Sequence, residues 1–317
     1  MMEILQPGLL TTVQDGGRRG FQQYGVPVCG AMDWLALAQA NVLVGNPEDE
    51  AALELTGLGP TLRFHQENCF ALTGGTISAT LDECPVEMGR AYYAPAGAVL
   101  RLGAVTQGFR AYLAVAGGLE LPMILGSRST CLAAGFGGYH GRSLQKGDRL
   151  GFRAPQRWLP GLPVRRLEQL LPEDDSPLGV ILGPQADAFT PIALQRFFSE
   201  EYHVTAQCDR MGARLTGPIL PLQEGQTPNI LSDGVAMGSI QVPNGQPILM
   251  LADRQTTGGY VKLGTVITAH LPRAAQKKPG DSVRFRQVSV EEAQALLRDC
   301  RRRLRNAALA LDTPEEW

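Results

Sequence analysis

Short apolar or alternating runs, each broken by Gly, Pro, Asp or Asn, recur along the chain at residues 89–95, 98–102, 109–115, 179–182, 246–251 and 283–285. Runs of this length closed by turn residues predict strands. The 37 glycines and 22 prolines punctuate them at the intervals of an all-β sandwich or barrel, rather than those of alternating strand–helix units. The chain therefore reads as mainly β.

Three helices interrupt the pattern. Asp33 is placed to cap a helix through Trp34-Leu35-Ala36-Leu37-Ala38-Gln39-Ala40-Asn41, with Gly45 and Pro47 as the stop. Thr190-Pro191 opens a second helix with a cap residue followed by proline at the first helical position. Ser289 and Glu292 have the spacing of a capping box and start a C-terminal helix through Leu296, Leu297 and Leu304 toward Leu309.

Five prolines, at 155, 160, 163, 172 and 177, and the acidic stretch Glu173-Asp174-Asp175 mark a connection between two lobes. We expect a first β lobe over 1–165, a second over 166–288, and a C-terminal helix and tail over 289–317. Residues 144–152 (LQKGDRLGF) and 277–285 (KKPGDSVRF) echo one another, each a Gly-Asp turn before a closing strand. Two related lobes would explain the echo.

Composition narrows the function classes. At 317 residues and 44% hydrophobic, the chain can bury more than one ordinary domain core. A formal charge of −2 offers no general attraction to nucleic acid or an anionic membrane. The basic run Arg298–Arg305 lacks interleaved aromatics and reads as a solvated helix face. Neither a leader-like N-terminus nor an apolar window of membrane-spanning length is apparent, so a cytoplasmic protein is expected. The six cysteines form no CxxC pair and the four histidines no HxH or HExxH arrangement, so no metal site is expected.

Four segments concentrate polar chemistry. Gln14-Asp15-Gly16-Gly17-Arg18-Arg19-Gly20 combines close backbone approach with a guanidinium suited to a carboxylate or phosphate, and Asp15 could orient that arginine or take a proton. The same residues also suit a glycine turn that holds an Asp–Arg pair, and the lysine of a phosphate-binding loop is lacking. In Gly30-Ala31-Met32-Asp33 a glycine precedes a helix N-terminus, with capping the leading role for Asp33. Cys208-Asp209-Arg210-Met211-Gly212-Ala213-Arg214-Leu215 joins two arginines and an acid, suited either to gripping an anion or to a surface ion-pair network. The densest region runs from Ser232-Asp233-Gly234 through Gln241 to Pro247 and resumes at Asp253-Arg254-Gln255-Thr256-Thr257-Gly258-Gly259-Tyr260. So many polar groups near a core need partners, which a polar ligand would supply. No Gly-x-Ser-x-Gly elbow stands before a helix, and no Met-Lys-Met segment marks a biotin carrier.

At these motifs the chain resembles the KipA, or allophanate hydrolase subunit 2, family, which is biotin-dependent carboxyltransferase-like. The likeness rests on Thr12-Val13-Gln14-Asp15-Gly16-Gly17-Arg18, Gly25-Val26-Pro27, Gly30-Ala31-Met32-Asp33, Leu72-Thr73-Gly74-Gly75, Tyr112 to Gly118, Gly126 to Thr130, Gly183-Pro184-Gln185, Asp209-Arg210-Met211-Gly212, Gly238 to Pro243 and Asp253 to Tyr260. It implies two tandem cyclophilin-like β-barrel lobes with a few short helices and a C-terminal helix. Stand-alone family members resemble the third component of an ATP-dependent 5-oxoprolinase, which opens 5-oxo-L-proline to L-glutamate with partner subunits A and B, B being KipI-like.

The resemblance implies a site between the lobes in which Asp15, Arg18, Asp209, Arg210, Asp253 and Arg254 are catalytic, with the general base left open among the aspartates. Asp33, Arg214, Ser232, Asp233, Gln241, Gln255, Thr256, Thr257 and Tyr260 would bind substrate. ATP with Mg is the expected cofactor, on this chain or a partner, and this chain carries no covalent biotin. Two other readings stay open: a carboxyltransferase-type subunit related to urea carboxylase, and a regulatory partner of a KipI-like kinase inhibitor. Cys208 stands where we expect the family to favour serine, which exchanges a hydroxyl donor for a weaker thiol.

Overall fold

The computed structural model describes residues 1–168 and 176–312; the acidic stretch 173–175 lies outside them. The chain divides into two compact units that are not contiguous in sequence. One comprises Met1–Arg19, Cys29–Leu171 and Arg301–Trp317, and the other Gly20–Val28 and Pro172–Cys300. Among the described residues, no helix is long and apolar enough to cross a membrane.

The first unit is built on a curled, antiparallel ten-stranded sheet. Its spine is a pair of long strands, Asn68–Leu81 and Val99–Val115, in register from Phe70 opposite Val115 to Leu81 opposite Leu100. The two apolar runs expected at 98–102 and 109–115 are thus the two ends of one strand. The intervening polar residues remain paired, because each long strand keeps its partner across register shifts at Gly74/Thr76, Thr76/Ile77 and Ile77/Ala79. Gly74 has φ +86°, and a Cβ there would stand 2.6 Å from the Arg110 carbonyl oxygen, so the bulge excludes larger residues.

One face of this sheet buries Met2, Ile4, Phe64, Phe70, Leu100, Leu113, Leu150 and Phe152. Against the other lies α1 (Trp34–Leu43), whose Ala36, Leu37, Ala40 and Leu43 pack with Ala71, Tyr112 and Ala114. Buried residues surround nearly the whole helix, which explains why its sequence is apolar all round rather than striped. Asp33 caps it as expected, its Oδ1 accepting the Ala36 N–H at 2.9 Å.

The second unit carries an eight-stranded sheet and a separate two-stranded ribbon, Asn229–Gly234 with Thr257–Tyr260. Its helices are α2 (Pro191–Ser199), capped by Thr190 Oγ1 accepting from Ala193 N–H, and the five-residue α3 (Leu271–Ala275). The periodicity is silent on α3 because it is too short to repeat a face. An aromatic core of Phe197, Tyr202 and Phe285 holds α2 on the sheet, with Phe197 and Phe285 stacked at 4.5 Å.

The long α4 (Val290–Asp312) begins in the second unit, and its residues from Arg301 onward belong to the first, where Leu304 packs on Leu35, Ala38 and Val42. Half of the expected capping box forms. Ser289 Oγ accepts from the Glu292 N–H, while the Glu292 carboxylate takes Arg286 at 2.7 Å. A cation within reach outcompetes a neutral backbone donor.

The echoed segments fold alike. In the first unit Asp148 accepts the Gln145 N–H, Gly147 has φ +91°, and Gly147 N–H and Ile4 N–H donate to Ile4 and Asp148 carbonyls. In the second, Asp281 accepts the Lys278 N–H, Gly280 has φ +94°, and Gly280 N–H and Val204 N–H donate to Val204 and Asp281 carbonyls. The two units share this turn bond for bond.

Candidate functional site

The glycine-rich segment after the strand Leu10–Gln14 lies in the first unit as far as Arg19, and its Asp15 and Arg18 are turned inward. Asp15 Oδ1 accepts from Gly17 N–H at 2.8 Å and from the hydroxyls of Ser127 and Ser129, while its Oδ2 accepts from Arg128 N–H. Arg18 is fully buried, donates to the carbonyls of Ile124 and Ser129 at 2.9 and 3.0 Å, and stacks on the Phe136 ring at 4.6 Å. The expected Asp15–Arg18 orientation is therefore replaced by a different pairing. A buried carboxylate and guanidinium each need several partners; the loop 124–138 supplies them to Asp15 and to Arg18 Nε and Nη2, while Arg18 Nη1 has none among the described residues. Gly137 makes this contact possible, since a Cβ there would lie 2.1 Å from the Ser129 carbonyl oxygen and 2.9 Å from Arg18 Nη2.

Asp33, expected to touch substrate, belongs to a buried network at the start of α1. Its backbone N–H donates to Tyr112 Oη at 2.8 Å, and Tyr112 donates to Glu54 Oε2 at 2.7 Å, which also accepts the Met32 N–H. Burial, with Glu54 and Asp33 nearby, pushes the Tyr112 phenol well above its ordinary range. Glu54 and Tyr112 were not legible as a pair, since they come together only through the register of strands Ala52–Thr56 and Val99–Val115.

The second unit gathers most of the remaining candidates. Arg210 and Asp253 form a bidentate pair, Nε to Oδ2 at 3.0 Å and Nη2 to Oδ1 at 2.9 Å, with both side chains 4% exposed. Arg254 is buried beside them in sequence and donates to the carbonyls of Val235 and Leu251. Asp209 makes a turn, accepting Met211 and Gly212 N–H groups, so it orients the arginine loop rather than the guanidinium itself.

Around the base of the ribbon lie Asp233, Gln241 and Gln255. Gln241 is 2% exposed; its Oε1 faces Gln255 Nε2 at 3.5 Å and its Nε2 has no hydrogen-bond partner among the described residues. Asp233 Oδ2 accepts from Lys262 Nζ at 2.7 Å, and this contact, with the Gly234 N–H, holds the carboxyl below its ordinary pKa. Thr256 contributes its carbonyl to Val235 N–H, while Ser232, Thr257 and Tyr260 stand exposed along the ribbon. Lys262, 5% exposed, escaped the sequence reading. Its signal was a lysine opening the largely buried strand Lys262–Val266.

Arg214 separates from this group. It lines a groove of about 540 Å³ with Gln207, Thr216, Asn244 and Gln246, and none of the other expected site residues reaches that groove. Among the described residues, no group of three or more His, Cys, Asp and Glu side chains is placed to hold a metal ion.

Comparison with known proteins places the chain in a family. A model of the carboxyltransferase domain, subdomains A and B, matches residues 24–287. The chain is 40% identical to the third (C) component of 5-oxoprolinase from Escherichia coli strain K12, across 95% of this chain and 96% of that protein. It is 35% identical to urea amidolyase of Saccharomyces cerevisiae, across 93% of this chain but 17% of that much longer protein. The crystal structure of the K. lactis urea amidolyase superposes with a TM-score of 0.89 at 33% identity, covering 96% of this chain and 20% of that one.

Proposed function

Since this chain belongs to the carboxyltransferase domain family, subdomains A and B, we propose that it serves as the third component of an ATP-dependent 5-oxoprolinase, hydrolysing 5-oxo-L-proline to L-glutamate with partner subunits A and B in the cytoplasm. The observation that carries this reading is the 40% identity to the third component of a bacterial 5-oxoprolinase over nearly the full length of both proteins. In contrast, the urea amidolyase likeness covers a small fraction of a larger chain.

The residues divide the work by burial. In the second unit, the Arg210–Asp253 pair and Arg254 are enclosed and fix the backbone at 235 and 251–254. They act as positioning residues for Gln255, Thr256 and Thr257, which follow directly in the chain. Gln241, Gln255, Thr257 and Tyr260 supply neutral donors and acceptors suited to the carbonyl and N–H of a lactam.

A lactam is a poor electrophile, and coupling to ATP would activate its carbonyl oxygen. In the glycine-rich segment 14–20 the Arg18 guanidinium is enclosed, with Nε and Nη2 on carbonyls and Nη1 buried without a partner among the described residues, while Arg19 is exposed. No ATP step is assigned to this chain's residues.

Glutamate release from 5-oxo-L-proline and ATP, measured with this chain plus subunits A and B and then with each omitted, tests the reading. Release that stops when this chain is left out is expected. A complete, folded mixture with no turnover would sink it. The structural likeness to urea amidolyase favours carboxyl transfer as the second reading, which predicts turnover of urea when a carboxybiotin-bearing carrier is supplied instead.

A further inference from the structure

Lys262 and Gln241 face one another across adjacent strands, being register partners in the pairing of Ser239–Gln241 with Lys262–Val266. Register partners project to the same side of a sheet, so the ammonium and the amide share one face. The ribbon closes over that face. Asp233 is in register with Gly258, and Gln241 Nε2 packs on Gly258 so closely that a Cβ there would lie 2.5 Å from it. A second Cβ contact, 3.4 Å to Gln255 Nε2, brings another amide to the same spot.

The donors at this spot exceed the acceptors. Lys262 Nζ gives one hydrogen bond to Asp233 Oδ2 at 2.7 Å and one to the Gly234 carbonyl at 3.2 Å. Gln241 Nε2 is enclosed and unpartnered among the described residues, and an orphaned buried donor is costly unless a ligand completes it. The acceptor now on the lysine is itself asymmetric: Lys262 has a side chain 6% exposed, whereas that of Asp233 is 60% exposed. A buried cation is thus matched by a carboxylate that reaches in from the surface.

We infer that Lys262 and Gln241 form a subsite for the carboxylate of a small substrate, and that Asp233 occupies it as an internal stand-in which the substrate carboxylate displaces. The inference rests on the lactam reading above for the identity of the substrate: 5-oxo-L-proline carries one carboxylate on a five-membered lactam ring. The carboxylate takes the ammonium and the amide N–H, and the ring lies toward Gln255 and the ribbon. Gly258 is required for the approach, because any side chain there would displace the Gln241 amide. Lys262 here binds and orients, and no bond is made or broken on it.

The test measures binding of 5-oxo-L-proline, 2-pyrrolidinone and inorganic phosphate to the folded full chain by calorimetry, and the KM for 5-oxo-L-proline in the complete mixture with A and B. The carboxylate-bearing lactam should bind at least about tenfold more tightly than 2-pyrrolidinone, which is the same ring without the carboxylate. Lys262→Met and the near-isosteric Gln241→Glu should each weaken binding, or raise KM, by about tenfold or more. Asp233→Asn should do the opposite and tighten binding, since it removes the competing carboxylate, a response that a purely structural ion pair would not give. Melting curves confirm that each variant is folded, and Gln241→Glu carries the test if Lys262→Met is not.

Equal affinity for the two lactams, stronger binding of phosphate than of 5-oxo-L-proline, or weakening by Asp233→Asn would each overturn the subsite. So would the absence of carboxylate binding both in the chain alone and in the complete mixture. Lys262-dependent binding without glutamate release would leave the subsite standing and remove the oxoprolinase reading instead.

Discussion

Arg210 and Asp253 show how much a single buried pair contributes to the second unit. Each satisfies the other through two short bonds, and both are shielded from water. Removal of one partner leaves the other charged and enclosed, which costs about 3–5 kcal/mol. Arg210→Ala should therefore lower the unfolding free energy of the second unit by that amount, read from urea melts, with Arg210→Ala/Asp253→Ala less destabilised than the sum of the two singles. Additive losses would show that the pair is not coupled. Asp15 stands in the same position in the first unit, but its partners are hydroxyls and amides. Asp15→Asn should disturb the loop 124–138 while retaining part of its hydrogen bonding, because an amide can still accept.

At the level of elements, caps and turns carry local information while strands carry the rest. Asp33 accepts a helix N–H three residues on and starts α1, its own N–H held by Tyr112 Oη. Asp33→Ala should cost about 1 kcal/mol, read as a lowered melting temperature. Ser289→Ala should cost less, because the Glu292 half of that cap is already committed to Arg286. Equal losses at the two positions would contradict the assignment. These caps were legible because a cap is an i to i+3 relation, independent of the rest of the chain. The ribbon of Asn229–Gly234 and Thr257–Tyr260 was legible as polar and glycine-rich, but its pairing was not.

Across the whole molecule, the shared Gly-Asp turn packs on a strand of its own unit, at Ile4 in the first and Val204 in the second, and in the first unit it also sets a pH dependence. Arg142 holds the Asp148 carboxyl below its ordinary value of 3.8, with the Gln145 N–H assisting. A folded-state pKa below the unfolded one means that the native state binds fewer protons, so the stabilisation is complete above 3.8 and is lost as pH falls through the lower folded value. Asp233 with Lys262 and Glu3 with His65 shift in the same direction. Acid titration of unfolding should show stability dropping below the ordinary carboxylate range, and Asp148→Asn should flatten part of that slope. An unchanged slope in the variant would remove Asp148 from the account.

By itself the sequence determined that the chain is mainly β, where three of its helices begin, that its polar chemistry clusters in the segments around 14–20, 208–215 and 232–260, and that two Gly-Asp turns are alike. Each of these follows from residue type and near-neighbour spacing, over which backbone propensity and local hydrogen bonds act. The tertiary structure decided which charge meets which. Asp15 finds Ser129 across 114 positions, Arg210 finds Asp253 across 43, and Lys262 finds Asp233 across 29. It also sent Arg214 to a separate groove and enclosed Arg18 among the carbonyls of the loop 124–138. Buried charges take whichever partners strand register and loop packing bring within about 3 Å, and register over such separations is a property of the folded sheet, not of any local segment.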